Sequence, residues 1–187
     1  MEKLVKNSLS RFEKISFEND EITCLRRKVL VDERGHFSRL FSNEELVDLG
    51  WGFPVSQINI SRTLKAGTVR GLHYQKAPFE EDKIVTCISG EVRDIIVDVR
   101  RNSKNYLKSF MLTLSEKNNL SVVIPKGFAH GFQSLTDEAI LIYIHSATYK
   151  AEYEDGLNVL DPYLAIKLPL PPAEMSIRDM NFPFIKI

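Results

Sequence analysis

From Val55 to Ser146 the chain is built of short runs rich in Val, Ile, Thr and Phe, cut at close intervals by Gly, Asn, Pro and Asp. That texture constrains the fold more than any other feature. Strands are expected at Val55–Ser61, Thr68–Tyr74, Lys83–Ser89, Glu91–Arg100, Lys108–Ser115, Leu120–Ile124, Phe128–Ser134 and Ala139–Ser146. Ser89-Gly90-Glu91 and Glu116-Lys117-Asn118-Asn119 read as hairpin turns between them. Many short strands at near-even spacing, with little helix, specify an all-β sandwich or jelly roll.

The flanks are sparser. Short β-like pieces occur around Ile15-Ser16-Phe17 and Ile22-Thr23-Cys24-Leu25, and Asp32-Glu33-Arg34-Gly35 reads as a turn. Ser42 followed by Glu45 has the form of a capping box, and Gly50 is a stop signal, so a short helix is expected over 43–49. After Asp161 come prolines 162, 169, 171, 172 and 183, which predict an extended tail wrapping the barrel. Such a wrap can carry a functional side chain back to the barrel mouth. No internal repeat or low-complexity tract interrupts the chain.

A length of 187 residues suits one domain, here 1–187. Lys plus Arg number 25 and Asp plus Glu 25, interleaved without a basic block, which argues against nucleic acid as a partner. Cys24 and Cys87 have no motif spacing, and their use fits a reducing, cytoplasmic compartment. Met1 to Ser10 contains no apolar run of signal-peptide type, and no segment approaches the length of a membrane span.

The chemistry concentrates in Arg70-Gly71-Leu72-His73-Tyr74-Gln75 and Lys83. Histidine is a base near neutral pH, while Arg and Lys hold anionic oxygens as a fork and as a point charge. In an extended segment Arg70, Leu72 and Tyr74 face one side and Gly71, His73 and Gln75 the other, with Lys83 rejoining His73 from the next strand. A base beside cations is what proton abstraction next to a carbonyl requires.

The order Asp32-Glu33-Arg34-Gly35, Gln57-Ile58-Asn59-Ile60-Ser61, Arg70 to Gln75, Lys83, and Ile124-Pro125-Lys126-Gly127-Phe128-Ala129-His130-Gly131-Phe132 continues with Tyr143, Tyr149, Asp161-Pro162 and Ser176-Ile177-Arg178-Asp179. This set resembles the dTDP-4-dehydrorhamnose 3,5-epimerase family, over about residues 29–183. The resemblance implies a cupin-type, double-stranded jelly-roll barrel and a homodimer. It also implies a cytoplasmic isomerase, without cofactor or metal, acting on a nucleotide-diphosphate-linked 4-keto-6-deoxy sugar. Such enzymes serve deoxysugar and surface-polysaccharide synthesis, including lipopolysaccharide O-antigen. By position His73 matches the family's base, Asp179 its supporting carboxylate, Tyr143 the proton donor and Lys83 the holder of the enolate oxygen. Arg70 matches a diphosphate ligand, and His130 and Asn59 match other substrate positions. Gln57 matches a residue near the nucleotide base, Tyr149 an aromatic shaping the site, and Arg34 an arginine reaching the partner subunit's site.

Leu160 and Leu168 stand where the family commonly has tryptophan, and a third departure bears on the nucleotide. Arg39 stands where a glutamate lies near the nucleotide base, and exchanging an acceptor for a five-donor group favours a base such as cytosine over thymine. Two alternatives to a thymidine-linked 3,5-epimerase follow: a single-centre C3 or C5 epimerase of a CDP-linked sugar, and an inactive nucleotide-sugar-binding cupin. The second has no need of a base and an acid together. His36 and His145 rank below the residues named above, Asp94 and Asp98 read as a satisfied polar pair, and Gln75 removes the close histidine pair of metal-binding cupins.

Overall fold

The computed structural model describes residues 10–186, so the reading of Met1 to Ser10 as free of a signal sequence falls outside the described residues except at Ser10. Two antiparallel sheets face one another. The six-stranded sheet has the order β1 (Phe12–Ile15), β2 (Thr23–Arg27), β10 (Leu120–Ile124), β7 (Lys83–Ser89), β12 (Ala139–His145) and β5 (Gln57–Thr63). The five-stranded sheet runs β13 (Glu154–Gly156), β6 (Val69–Gln75), β11 (Phe128–Ser134), β8 (Glu91–Asp98) and β9 (Ser109–Ser115). β3 (Val29–Asp32) and β4 (Gly35–Ser38) form a separate hairpin around the expected turn at residues 32–35. The expected strands are all present, three with the expected ends. β1 and β2 precede residue 29 yet complete the larger sheet.

The chain passes repeatedly from one sheet to the other, which makes this a jelly roll. It also corrects both expected hairpins. β7 and β8 belong to different sheets, as do β9 and β10, so residues 89–91 and 116–119 are corners. Gly90 turns the first corner at φ +74°, where a Cβ would stand 2.4 Å from Thr136 Oγ1. Asn119 turns the second at φ 54°. Both are left-handed conformations that Gly and Asn adopt at least cost.

Three apolar clusters follow from this layering. Val85, Cys87, Val92, Ile96, Phe110, Phe128, Phe132 and Leu141 fill the space between the sheets. Val69, Leu72, Ile95, Val97 and Ala129 point outward from the smaller sheet and are covered by Val159 and Leu164 of the tail. Ile95-Ile96-Val97 is thus apolar without a break because both faces of β8 are buried. On the far side of the larger sheet Leu25, Ile84, Val123 and Ile144 pack against Leu46 and Trp51.

Leu46 belongs to the expected helix, α1 (Asn43–Leu46), which is continued by a 3-10 turn over Val47–Leu49 and ended at Gly50 with φ +102°; Trp51 follows that stop. The helix's capping box does not form. Ser42 makes no side-chain cap, and the Glu45 carboxylate instead accepts from the backbone N–H of Arg11 at 2.6 Å and pairs with Arg39. Holding the entering chain at residues 10 and 11 gives this glutamate more partners than one cap N–H. A second helix, α2 (Ile177–Met180), sits in the tail, where Ser176 Oγ accepts from the Asp179 N–H at 3.1 Å.

Candidate active site

A cleft of about 600 Å³ opens at one end of the barrel, between the two sheets. β5 contributes Gln57 and Asn59, β6 Arg70 and His73, β7 Lys83, β11 His130 and β12 Tyr143, while the segment after β12 adds Tyr149 and the tail adds Asp179. Nine of the eleven residues singled out in the sequence therefore line a single cleft.

Strict alternation along β6 is corrected by the structure. His130 pairs with His73 and Phe132 with Arg70, so three steps on β6 oppose two on β11. This bulge reverses the alternation, and Arg70 and His73 both reach the cleft. Lys83 does not approach from a neighbouring strand, because β7 lies in the opposite sheet. A close backbone approach accompanies the bulge: a Cβ on Gly71 would lie 2.6 Å from Gly131 Cα.

His73 Nε2 lies 2.7 Å from Asp179 Oδ1. The carboxylate accepts the Nε2 proton, leaving Nδ1 as the lone-pair nitrogen, which makes no hydrogen bond among the described residues. Asp179 is buried, and its second oxygen accepts from the Gly71 N–H at 3.1 Å. Burial pushes this carboxyl up, but the hydrogen bonds from His73 and Gly71 outweigh it and bring it to about 2. The tail thus delivers a partner that is ionised at neutral pH to the imidazole.

Across the cleft, Tyr143 Oη lies 3.1 Å from Ser61 Oγ, and the ring packs against the inter-sheet core. Burial, with Asp94 adding to it, raises the phenol well above its ordinary value despite the bond to Ser61, so it stays protonated. Lys83 Nζ is 3.0 Å from Glu81 Oε1, and Glu81 Oε2 is 2.9 Å from His145 Nδ1. His130 Nε2 bonds Asp94 Oδ1 at 2.8 Å. Asp94 and Asp98 are therefore no pair, since Asp98 holds Arg100 at 2.6 Å. Burial drives the Asp94 carboxyl upward against the pull of His130, and its Oδ2 has no partner among the described residues.

Arg70 aims its guanidinium along β5, with Nε 3.1 Å from Thr63 Oγ1. Arg34 and Arg39 are not brought into this cleft. Arg34 is exposed at the tip of the β3–β4 hairpin and pairs with Asp32 at 2.6 Å. Arg39 is held by Glu45 in a separate groove beside β1, β2 and α1. Conversely, Glu81, His145, Glu154 and Arg178 line the cleft without having been singled out. Arg178 joins Glu154 at 2.5 Å and stands 3.1 Å from His73 Nε2. Arg178 was legible as the neighbour of Asp179, and His145 as the residue sharing a strand face with Tyr143. Glu81 was hidden in the acidic run Glu80-Glu81-Asp82.

Fold and cleft together define a cupin-type jelly-roll enzyme of the isomerase class. The family model described as dTDP-4-dehydrorhamnose 3,5-epimerase matches residues 17–186, and the chain belongs to that family. A dTDP-4-dehydrorhamnose 3,5-epimerase of Shigella flexneri is 37% identical over 169 residues, 89% of this chain and 92% of the relative. The structure of a dTDP-6-deoxy-D-glucose-3,5-epimerase from Legionella pneumophila, in complex with dTDP-4-keto-L-rhamnose, superposes with a TM-score of 0.88 at 35% identity, covering 92% of each chain. A 3′-monoepimerase from Streptomyces bikiniensis, in complex with dTDP-quinovose, superposes with a TM-score of 0.82 at 32% identity, covering 91% of this chain and 85% of that one.

Proposed function

We propose that this protein epimerises a nucleotide-diphosphate-linked 4-keto-6-deoxyhexose by deprotonation and reprotonation through an enolate. The observation that carries the reading is the placement of a carboxylate-bound histidine and a half-buried tyrosine on opposite sheets of one cleft. The 4-keto group acidifies the hydrogens at C3 and C5, because the carbanion delocalises onto the carbonyl oxygen. His73 takes the proton from one face of the ring, with Asp179 orienting the imidazole and stabilising its charged form. Lys83 holds the enolate oxygen, and Tyr143 returns a proton to the other face. Arg70 binds the diphosphate, while Asn59 and His130 contact the sugar. Gln57 and Tyr149 lie toward the nucleotide, joined by the Tyr149 N–H donating to Gln57 Oε1 at 3.0 Å.

In this reading the chain is one catalytic domain that works as a homodimer in the cytoplasm, supplying deoxysugar for surface polysaccharide. Ile58 and Ile60 on edge strand β5, and Val31 and Phe37 on the β3–β4 hairpin, are exposed apolar residues that a second copy would cover. That hairpin carries Arg34 to the partner's cleft, and Arg39 reads a base only across the same interface. The resemblance to a 3′-monoepimerase keeps inversion at C3 alone beside double inversion.

Incubation with dTDP- and CDP-linked 4-keto-6-deoxyglucose in deuterated water, followed by NMR, tests the reaction and the choice of nucleotide together. Deuterium should enter at C3, C5 or both with inversion. No incorporation from either nucleotide would sink the proposal.

A further inference from the structure

The cleft holds one group of charges that proton transfer between His73 and Tyr143 does not account for. Lys83 and His145 are direct cross-strand partners on β7 and β12. Two cations set opposite one another repel. Glu81 stands between them, one oxygen 3.0 Å from Lys83 Nζ and the other 2.9 Å from His145 Nδ1. The three side chains are only 7%, 9% and 11% exposed for Lys83, Glu81 and His145. Burial pushes the Glu81 carboxyl up, but the bond from His145 and the field of Lys83 bring it to about 2, so it is a carboxylate at neutral pH.

A lysine paired with a carboxylate is a weak holder of a developing oxyanion, because the two charges cancel. The balance changes when His145 carries a proton on both ring nitrogens. The group then totals one positive charge, and a net charge in a water-poor cleft acts strongly on an enolate. The other titratable groups facing His145 leave that total unaltered. Tyr143, whose ring lies 6.1 Å away at 22°, is neutral, and on the facing sheet Asp94 is already bonded to His130. Asn59 is uncharged; its Nδ2 stands 3.4 Å from His145 Nε2, and a half-turn of that amide presents Oδ1 as the acceptor that a doubly protonated ring requires.

We propose that Lys83, Glu81 and His145 form one oxyanion-holding unit in which His145 is a positioning residue. Bonded to Glu81, it draws the carboxylate's charge away from Lys83 and keeps the unit cationic as the enolate forms. The inference rests on the epimerase reading, and its test separates the two.

Steady-state kinetics on the 4-keto sugar are measured for wild type, His145→Gln, Glu81→Gln and the double variant, together with ¹⁵N NMR of His145 in the substrate-free protein. His145→Gln should lower kcat about tenfold with KM within about twofold, the pattern of an interaction made only in the transition state. Adding Glu81→Gln should recover at least about threefold of that loss, because the charge that His145 offset is gone. A double variant no faster than His145→Gln would mean that the histidine merely packs, and would overturn the unit. In the spectra both ring nitrogens should be protonated at neutral pH in wild type and not in Glu81→Gln; a neutral ring in wild type overturns the proposal even if the variants fold poorly. Absence of turnover by wild type counts against the epimerase reading alone, and the ¹⁵N result then still decides the charge of the unit.

Discussion

At the residue scale, the proposed base and acid differ in what their loss should do. His73→Asn keeps a hydrogen-bonding group but cannot accept a proton, so deuterium exchange should fall by roughly 10²–10⁴-fold while nucleotide binding persists. Tyr143→Phe should abolish inverted product yet retain some exchange, since His73 still takes and returns a proton on its own face. Exchange and inversion read on the same NMR sample distinguish the two, and inversion at the wild-type rate in Tyr143→Phe would show that another group is the donor. The residues of this site were legible where their type is rare, as with His73 and Lys83 in a short motif. Those missed act through pairing: Glu81 is one acid among three in sequence, and only folding sets it between Lys83 and His145. Arg39 was legible as an exception but not in its placement, because its partner Glu45 looked committed to a helix cap.

At the scale of elements, the bulge where β6 meets β11 is what brings Arg70 and His73 onto one face. Gly71 makes that crossing possible at φ +115°, with a hypothetical Cβ 2.6 Å from Gly131 Cα and 2.8 Å from His130 O. Gly71→Ala should therefore lower stability by about 2–4 kcal/mol, through strain and backbone collision together. It should also reduce activity, because the Gly71 N–H holds Asp179. A urea midpoint equal to wild type would contradict this register. Period-two reasoning identified the strand but could not show the bulge, since an extra residue leaves no mark in composition. The two corners were misjudged for a related reason: Gly90 and the Asn118-Asn119 pair signal a change of direction, and nothing local says whether the next strand pairs with the last or crosses to the other sheet.

For the whole molecule, Glu81 and Asp179 link acid stability to the site. Both carboxyls lie at about 2 when folded, below their ordinary values of 4.5 and 3.8. The unfolded chain therefore binds more protons in that window, and their contribution, complete above about pH 4.5, is lost as pH falls toward 2. Asp94, shifted upward, works in the opposite sense, so comparison with Glu81→Gln isolates one share. Thermal midpoints between pH 5 and 2 should fall less steeply in that variant; parallel curves would show that the Glu81 pairing is absent in solution. Sedimentation should find a dimer that Ile60→Asp splits, and a fully active wild-type monomer would contradict the shared interface. The tail also sets an order of events in synthesis. Asp179 follows His73 by 106 positions, and β12 is complete at His145. A chain emerging from the ribosome can thus close its two sheets before His73 has its carboxylate. Activity then reports translation through Ser176 and beyond, and a protease trimming the product back past Asp179 would leave a folded barrel that occupies nucleotide-sugar without turning it over.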